Sequence, residues 1–543
     1  MEIMINKLKK INVDKLLFTM EVAILLMIIM IFITDYSDSD LYYLLANGKY
    51  ILKYGIPYTN PFVFAPFKGS ILPDIVIQNW LYCVIVAGVN KIAGSLGLCI
   101  LELIFIIGMM FTMYIFFKTR GSDWNKTLIL VASAVTLICF GYINLRPQIF
   151  TFILIMTEII CIEKSIKTGN TKYLFIIPLC TLIEINIHAS YWIMHYIVFL
   201  PYMIPMKRIL KDKVSDSICD NFKKGQYKSV FITWLVMAVS LFVNPYGVDS
   251  ILYVFKALYD NVFSFITIIE QQPLTFGKPT TTLAILFVII FIIFIVMMNK
   301  RKIKFSTVFM YLGFTFLILL QIKWLSFYVI GILFVLSDFI EWLETTKLKE
   351  VKINLIYKWF YIGCIFIMTV LFLLIVITTA VSTKVFKPTE EALNIPNTTI
   401  SKDEIKIAKY LKDHNADRVF TQWDSGNYYE YKGIKVLVDA RPELYTITYS
   451  DTKDYNETNL GVQSHIEYGL PAYSVTQRGI TTDTGLIKEI DTADEYGKLV
   501  DKLDTKYYVV QATTEALYKY VTGHPEKYKL VYKGKNQYLY EKL

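Results

Sequence analysis

Apolar runs follow one another from Leu16 to Val381 and then stop. A stretch of about 20 apolar residues finds a stable place only in a bilayer or at the centre of a very large core. This chain of 543 residues is 55% hydrophobic and 15% aromatic, beyond what an ordinary soluble protein carries. A helical, polytopic membrane domain is therefore expected over 1–383. From 384 to 543 the composition is polar and mixed, which suits one soluble domain of ordinary size.

The first ten residues end in Lys7-Leu-Lys-Lys10 and precede the apolar run Leu16 to Thr34 without a small-residue cleavage site. They read as a retained first span with a cytoplasmic N-terminus. Further spans are expected at 95–117, 127–143, 149–164, 173–188, 190–205, 229–244, 279–298, 305–320, 324–341 and 358–381. The basic stretches Lys118 to Lys126, Lys164 to Lys172, Lys207 to Lys228, Lys300 to Lys304 and Lys347 to Lys358 all belong inside. This works only if 75–117 makes one net crossing. Asp74 to Ala93, with Gln78, Asn79 and Trp80, is then a re-entrant or juxtamembrane helix. About 11 crossings place the C-terminal domain outside the cytoplasm. The net charge of +9 sits in these loops and is not a nucleic-acid signal.

This topology collects polar clusters on one face. Thr34 to Phe62 holds Asp35, Asp38 and Asp40 at the mouth of the first span. Carboxylates there need a cation, a metal or a proton-handling role, although Ser37 or Asp38 would also serve as a plain helix cap. Asn144-Leu-Arg-Pro-Gln148 carries Arg146, which must face either a carboxylate of this chain or an anionic ligand. Asn186, His188 and Ser190 lie on a turn between two short spans, and His188 is read either as a satisfied hydrogen-bonder or as a metal or phosphate ligand. Glu184 lies one helical turn before it and faces the same side. Glu270, in the long segment Asn244 to Pro279, is a metal or supporting carboxylate. Lys323 either snorkels or neutralises a lipid phosphate. The seven cysteines show no metal-ligand spacing and read as small core hydrophobes.

In the C-terminal domain Ser401-Lys-Asp-Glu404 is a capping box opening a helix through Leu411. Strands are expected at 418–421, 434–438 and 506–510, a helix at 514–520, and a hairpin closing around Gly534, giving a small α/β domain. Two polar loops follow the first two strands: Gln422 to Tyr428, with Trp423 and Asp424, and Asp439 to Tyr445, with Arg441 and Glu443. Their position suits a carbohydrate- or phosphate-binding patch, the alternative being turn chemistry around an internal Asp–Arg pair.

Taken in order, these motifs resemble the GT-C superfamily of membrane glycosyltransferases, which use polyprenyl-phosphate-linked sugars. The resemblance is nearest to a group of bacterial multi-pass proteins and more distant to oligosaccharyltransferase catalytic subunits and protein mannosyltransferases. It rests on Asp38-Ser-Asp40-Leu-Tyr42, Gly48-Lys-Tyr-Ile51, Pro57-Tyr-Thr-Asn-Pro61-Phe62, Arg146 to Gln148, Asn186 to His188, Asn244 to Gly247 and Asp439 to Tyr445. There are departures. Gln78-Asn79-Trp80 stands where His-Glu-Trp is commoner, and Lys323 where Arg is commoner. Trp423-Asp-Ser-Gly426 lacks the second Trp and the Tyr of the oligosaccharyltransferase motif, so transfer to asparagine is not inferred. Asn79 in place of an acid leaves the cofactor open, with a divalent metal (Mg or Mn) among the options.

The resemblance implies an inverting-type transferase in the cell membrane that moves a sugar from a lipid-linked donor to a glycan, lipid or protein acceptor outside the cytoplasm. Sugar transfer needs a base and a positive site for the leaving phosphate. Asp40 or Asp38 is the expected base, and Arg146, His188 and Lys323 the phosphate site. Glu270 would orient acceptor or metal, and Trp423, Asp424, Asp439 and Arg441 would bind acceptor or close the cleft. One rival is a non-catalytic scaffold or lipid-binding partner in cell-surface polysaccharide assembly. A transporter ranks below it, because the sequence shows no internal repeat.

Overall fold

A computed structural model describes residues 39–69, 72, 74–121, 145–204, 221–259, 273, 281–300, 302–345, 400–422, 425–439, 441, 444, 459, 462–463, 466, 493–511 and 515–543. Ten helices build the larger part: α1 (Asp40–Tyr54), α2 (Trp80–Arg120), α3 (Gln148–Thr168), α4 (Ile176–Ile187), α5 (Trp192–Met203), α6 (Tyr227–Ser240), α7 (Val248–Tyr259), α8 (Thr281–Asn299), α9 (Phe305–Leu320) and α10 (Leu325–Thr345). They match the expected apolar segments within a few residues. Helix α7 is an addition, since it turns the start of the long 244–279 segment into an amphipathic helix. The expected spans at 16–34, 127–143 and 358–381 lie outside the described residues.

Helix α2 decides how 75–117 is used. A straight helix of its 41 residues would reach about 60 Å and hold Tyr82 and Phe105 about 35 Å apart. Instead their rings stack at 6.0 Å, and a Cβ built on Gly97 would touch the side chain of Val89. The reversal occurs at Gly94, with φ 57° and ψ −145°, a conformation open to glycine and hostile to side chains. The arm 80–93 therefore folds back on 95–120 as a helical hairpin. That arm also packs on α1, where a Cβ on Gly48 would lie 2.0 Å from the carbonyl oxygen of Cys83. The glycine of the Gly48-x-x-Ile51 motif thus serves close helix packing.

Among the described residues, two helical stretches, Trp80–Arg120 and Ile322–Trp342, are long and apolar enough to cross a membrane, and the apolar α9 is shorter. The outward faces carry large apolar side chains in helical register. Ile100, Ile104, Ile107 and Phe111 form one such stripe on α2, and Phe231, Leu235, Val239 and Phe242 another along α6 and its C-terminal end. Soluble surfaces do not carry contiguous apolar stripes of this extent.

The smaller part begins with α11 (Lys402–Asp413), opened by the expected capping box: Ser401 Oγ accepts from the Glu404 N–H and the Ser401 N–H donates to Glu404 Oε2. Then come β1 (Arg418–Phe420), α12 (Gly426–Tyr431), β2 (Lys435–Val436), α13 (Ala493–Lys502), β3 (Tyr507–Gln511), α14 (Glu515–Gly523), β4 (Tyr528–Lys533) and β5 (Gln537–Lys542). The sheet order is β2-β1-β3-β5-β4, parallel through β3 and antiparallel beyond it. Strand β2 is shorter than the expected 434–438, and α12 starts at a glycine that reads as a breaker.

The first loop completes this sheet. Val63 bridges Val436 in parallel, the Phe64 N–H donates to the Val436 carbonyl at 3.1 Å, and the Val436 N–H to that of Phe62 at 3.2 Å. The Asn459 amide donates to the Phe64 carbonyl, the Asp504 N–H to that of Pro66, and Tyr42 meets Tyr428 edge-on at 5.1 Å. The α/β part is seated on α1 and the loop that follows it.

Candidate functional site

The N-terminal turn of α3 is the centre of the site. Pro147 is its N-cap and cannot donate a hydrogen bond, which suits the position, and Arg146 stands just ahead of it. Arg146 Nη2 lies 3.1 Å from Asp40 Oδ2, Asp40 being the first residue of α1. Of the two readings of Arg146, the geometry shows the intramolecular pair. It leaves the anion role open, because the Asp40 side chain remains 36% exposed and a guanidinium carries five donors in a fork that matches phosphate. Asp38, the other candidate base, lies outside the described residues.

Five residues beyond Arg146, at Thr151, α3 meets the end of α4. Thr151 Oγ1 lies 3.1 Å from His188 Nδ1 and donates to Glu184 Oε1 at 2.7 Å. His188 caps α4, is buried, and has Tyr191 against its ring at 4.3 Å. Lys323 sits on the short 3₁₀ turn Ile322–Trp324 between α9 and α10. Trp324 contacts Tyr191 edge-on at 5.3 Å. Arg146, His188 and Lys323, scattered in sequence, thus converge on one end of the helix bundle together with Asp40.

Neighbouring motif residues turn out to be ties. Asn186 accepts from Trp80 Nε1 at 3.0 Å and donates to the carbonyls of Leu182 and Val243, joining α2, α4 and the end of α6. The Gln78 side chain accepts from Ser190 and its carbonyl from the Ala189 N–H. Asn79 accepts from Cys83 Sγ at 3.5 Å. Asn244 closes the turn it begins, and Tyr246 donates to the Pro57 carbonyl at 3.1 Å.

The α/β part reaches the same end. The Asn427 amide donates to the Ser39 carbonyl, immediately before Asp40. A Cβ on Gly426 would lie 2.2 Å from the Val438 carbonyl oxygen, so the glycine lets α12 close on the chain leaving β2. Trp423 and Asp424 lie outside the described residues, as does Glu270.

At 439–441 the geometry shows the alternative reading, an internal Asp–Arg pair. Asp439 and Arg441 are 0% and 1% exposed. Arg441 Nη2 pairs with Asp439 and, at 2.6 Å, with Glu430, while its guanidinium lies 4.6 Å from the centre of the Phe62 ring. Burial pushes the Glu430 carboxyl up against the opposing pull of Arg441. The cluster is an internal clamp between β2, α12 and the first loop. Its placement in the interior follows from the docking of that loop, which spacing does not reveal.

Among the described residues no group of three or more His, Cys, Asp or Glu side chains is placed to hold a metal ion, and Asp40 faces a guanidinium.

At the opposite end of the bundle lies a second polar cluster. Arg120, read from sequence as a loop charge, is buried: it bonds Glu163 at 2.9 Å and Asp338 at 2.8 Å, with Thr307 as a further acceptor. A basic residue just past an apolar run gives no sign of this in the sequence.

No protein-family model matches this sequence, and none of the curated proteins does. Solved structures do. The oligosaccharyltransferase AglB from Archaeoglobus fulgidus, in complex with an inhibitory peptide and a dolichol-phosphate, superposes with a TM-score of 0.60 at 11% identity, over 96% of this chain and 74% of that one. The Archaeoglobus fulgidus oligosaccharyltransferase tethered to an acceptor peptide containing the NVT sequon gives 0.55 at 12% identity, over 96% and 74%. Its apo form gives 0.55 at 11%, over 93% and 71%. At these identities the likeness is one of fold: the chain shares the architecture of these structures, mostly helical with a small C-terminal sheet.

Proposed function

We propose that this protein is a membrane glycosyltransferase that moves a sugar from a polyprenyl-phosphate-linked donor to an acceptor outside the cytoplasm. The observation that carries the reading is the Asp40–Arg146 pair, half-open to solvent, at the end of the bundle that also holds His188 and Lys323, in a fold like that of oligosaccharyltransferase. Asp40, alone or with Asp38, takes the acceptor's proton. Arg146 and Lys323 receive the phosphate that departs as the glycosidic bond breaks, and His188 supports them. This is a positive site aimed at charge that grows in the transition state. The Arg146 pair holds Asp40 in place between turnovers. Asp439 and Arg441 act through the loop they clamp, and Trp423, Asp424 and Glu270 are assigned to the acceptor side. The apolar stripes on α2 and α6 support a multi-pass chain with domains at 1–383 and 384–543 and the α/β part on the Asp40 side of the membrane. A dolichol-phosphate accompanies one structural neighbour, in keeping with a lipid-phosphate donor here.

The test pairs binding with transfer. Purified protein is incubated with a panel of polyprenyl-phosphate sugars, and thermal stabilisation and release of lipid phosphate are measured. A donor should stabilise the wild type and Asp40→Asn but not Arg146→Ala, and only the wild type should release phosphate. Binding without release in the wild type would instead assign the scaffold reading, which the tied-up Gln78 and Asn79 side chains favour.

A further inference from the structure

Behind His188 runs a line of buried polar groups that the transfer chemistry above does not use. Glu158, Glu184 and His195 are each 0% exposed. His195 Nδ1 lies 2.6 Å from Glu158 Oε2, and its Nε2 lies 3.7 Å from Glu184 Oε2. Glu184 Oε1 accepts from Thr151, whose oxygen lies 3.1 Å from His188 Nδ1. Well-packed apolar residues often hold helices as well as buried charged groups do, so packing alone does not account for two carboxylates and an imidazole here.

The hydroxyl of Thr151 has one hydrogen, and this fixes the order of the chain. While Glu184 is ionised, Thr151 gives that hydrogen to Glu184 at 2.7 Å in preference to the Pro147 carbonyl at 3.4 Å. Its oxygen must then accept from His188, so His188 carries its proton on Nδ1 and offers a lone pair at Nε2. We propose that Thr151 and Glu184 form a proton relay for His188. A proton accepted at Nε2 is matched by the Nδ1 proton passing to Thr151 Oγ1 and the Thr151 proton passing to Glu184 Oε1. His188 is neutral before and after, and one proton has moved onto Glu184. The imidazole has thereby changed from acceptor to Nε2–H donor, the form a departing phosphate needs. His195, held by Glu158, lies 3.7 Å from Glu184 and, when protonated, favours its ionised form at rest. Thr151 and Glu184 are positioning residues, and their role in turnover rests on the transferase reading.

The test uses the full chain with ¹⁵N-labelled histidine. The chain has five histidines, so His188→Gln identifies the His188 signals by their loss. The wild type should show His188 as the Nδ1–H tautomer. Thr151→Val, which keeps the shape and removes the hydroxyl, should abolish that preference, and Thr151→Ser should restore it. An Nε2–H resting tautomer in the wild type, or a tautomer unchanged in Thr151→Val, would overturn the relay. With a donor in hand, Thr151→Val should slow transfer about a hundredfold while still binding donor, the size expected of a lost proton-transfer step, and Thr151→Ser should recover it. Absence of transfer in the wild type overturns the transferase reading, while the tautomer measurement still decides the relay.

Discussion

The two ends of the helix bundle each hold an arginine against carboxylate, and they are not alike. At one end Arg120 is sealed between Glu163 and Asp338, with Phe334 at 4.6 Å from its guanidinium, and its side chain is 0% exposed. At the other Arg146 meets Asp40 at 3.1 Å, with 12% and 36% of the two side chains exposed. Distance does not separate these pairs. Enclosure does. A sealed pair has no room for a ligand and acts as a bolt between α2, α3 and α10, whereas a half-open pair can exchange its partner for a substrate's charge.

Substitutions can break this contrast at either end. Arg120→Ala leaves buried carboxylates without their cation and should cost about 3–5 kcal/mol, enough to abolish folded protein in a size-exclusion and thermal-melting assay. If the melting temperature barely moved, the sealed end would not be the bolt described. Asp40→Asn should leave folding intact and slow sugar transfer by about 10²–10⁴-fold, the range for a lost general base, measured as lipid-phosphate release. Gly426→Ala tests the seat of the α/β part on the same end: its Cβ would run into the Val438 carbonyl, and overpacking of this kind costs about 1–3 kcal/mol, read as a lower melting temperature. Arg146→Ala should change stability by about 1 kcal/mol or less while removing donor binding, the reverse of Arg120.

A last prediction concerns pH and only the α/β part. Burial raises the Asp403 carboxyl, but hydrogen bonds from the Asn536 N–H and the Tyr532 hydroxyl outweigh it and hold the group below its ordinary range. Asp501 is likewise held low, burial being outweighed by Lys527 and Tyr528. Lys506 lowers Glu541. Groups lowered on folding stabilise fully above their unfolded values and lose that contribution as pH falls through the folded ones. Proteolysis of the full chain at 400–543 should therefore quicken below about pH 4 and not between pH 6 and 8. Asp403→Asn should flatten part of that acid response.

The sequence by itself determined the helical segments, because an apolar run must be buried or lie in lipid whatever its neighbours are. It also determined the capping box at Ser401, the strands at 418 and 507 and the closing hairpin, since each rests on residues a few positions apart. It marked Asp40, Arg146, His188 and Lys323 as polar groups at the ends of apolar runs and set Glu184 on the same side as His188. Tertiary structure alone decided how these groups meet. The reversal at Gly94 was hidden because glycine's freedom permits a turn without demanding one. The burial of Asp439 and Arg441 depended on a loop more than 370 residues earlier closing over them, as Val63 pairs with Val436. Arg120 and His195 were equally mute in sequence, because a charge becomes a buried bolt or a relay only when partners from other helices arrive. Local chemistry sets what a residue can do; enclosure, a property of the packed chain, sets what it does.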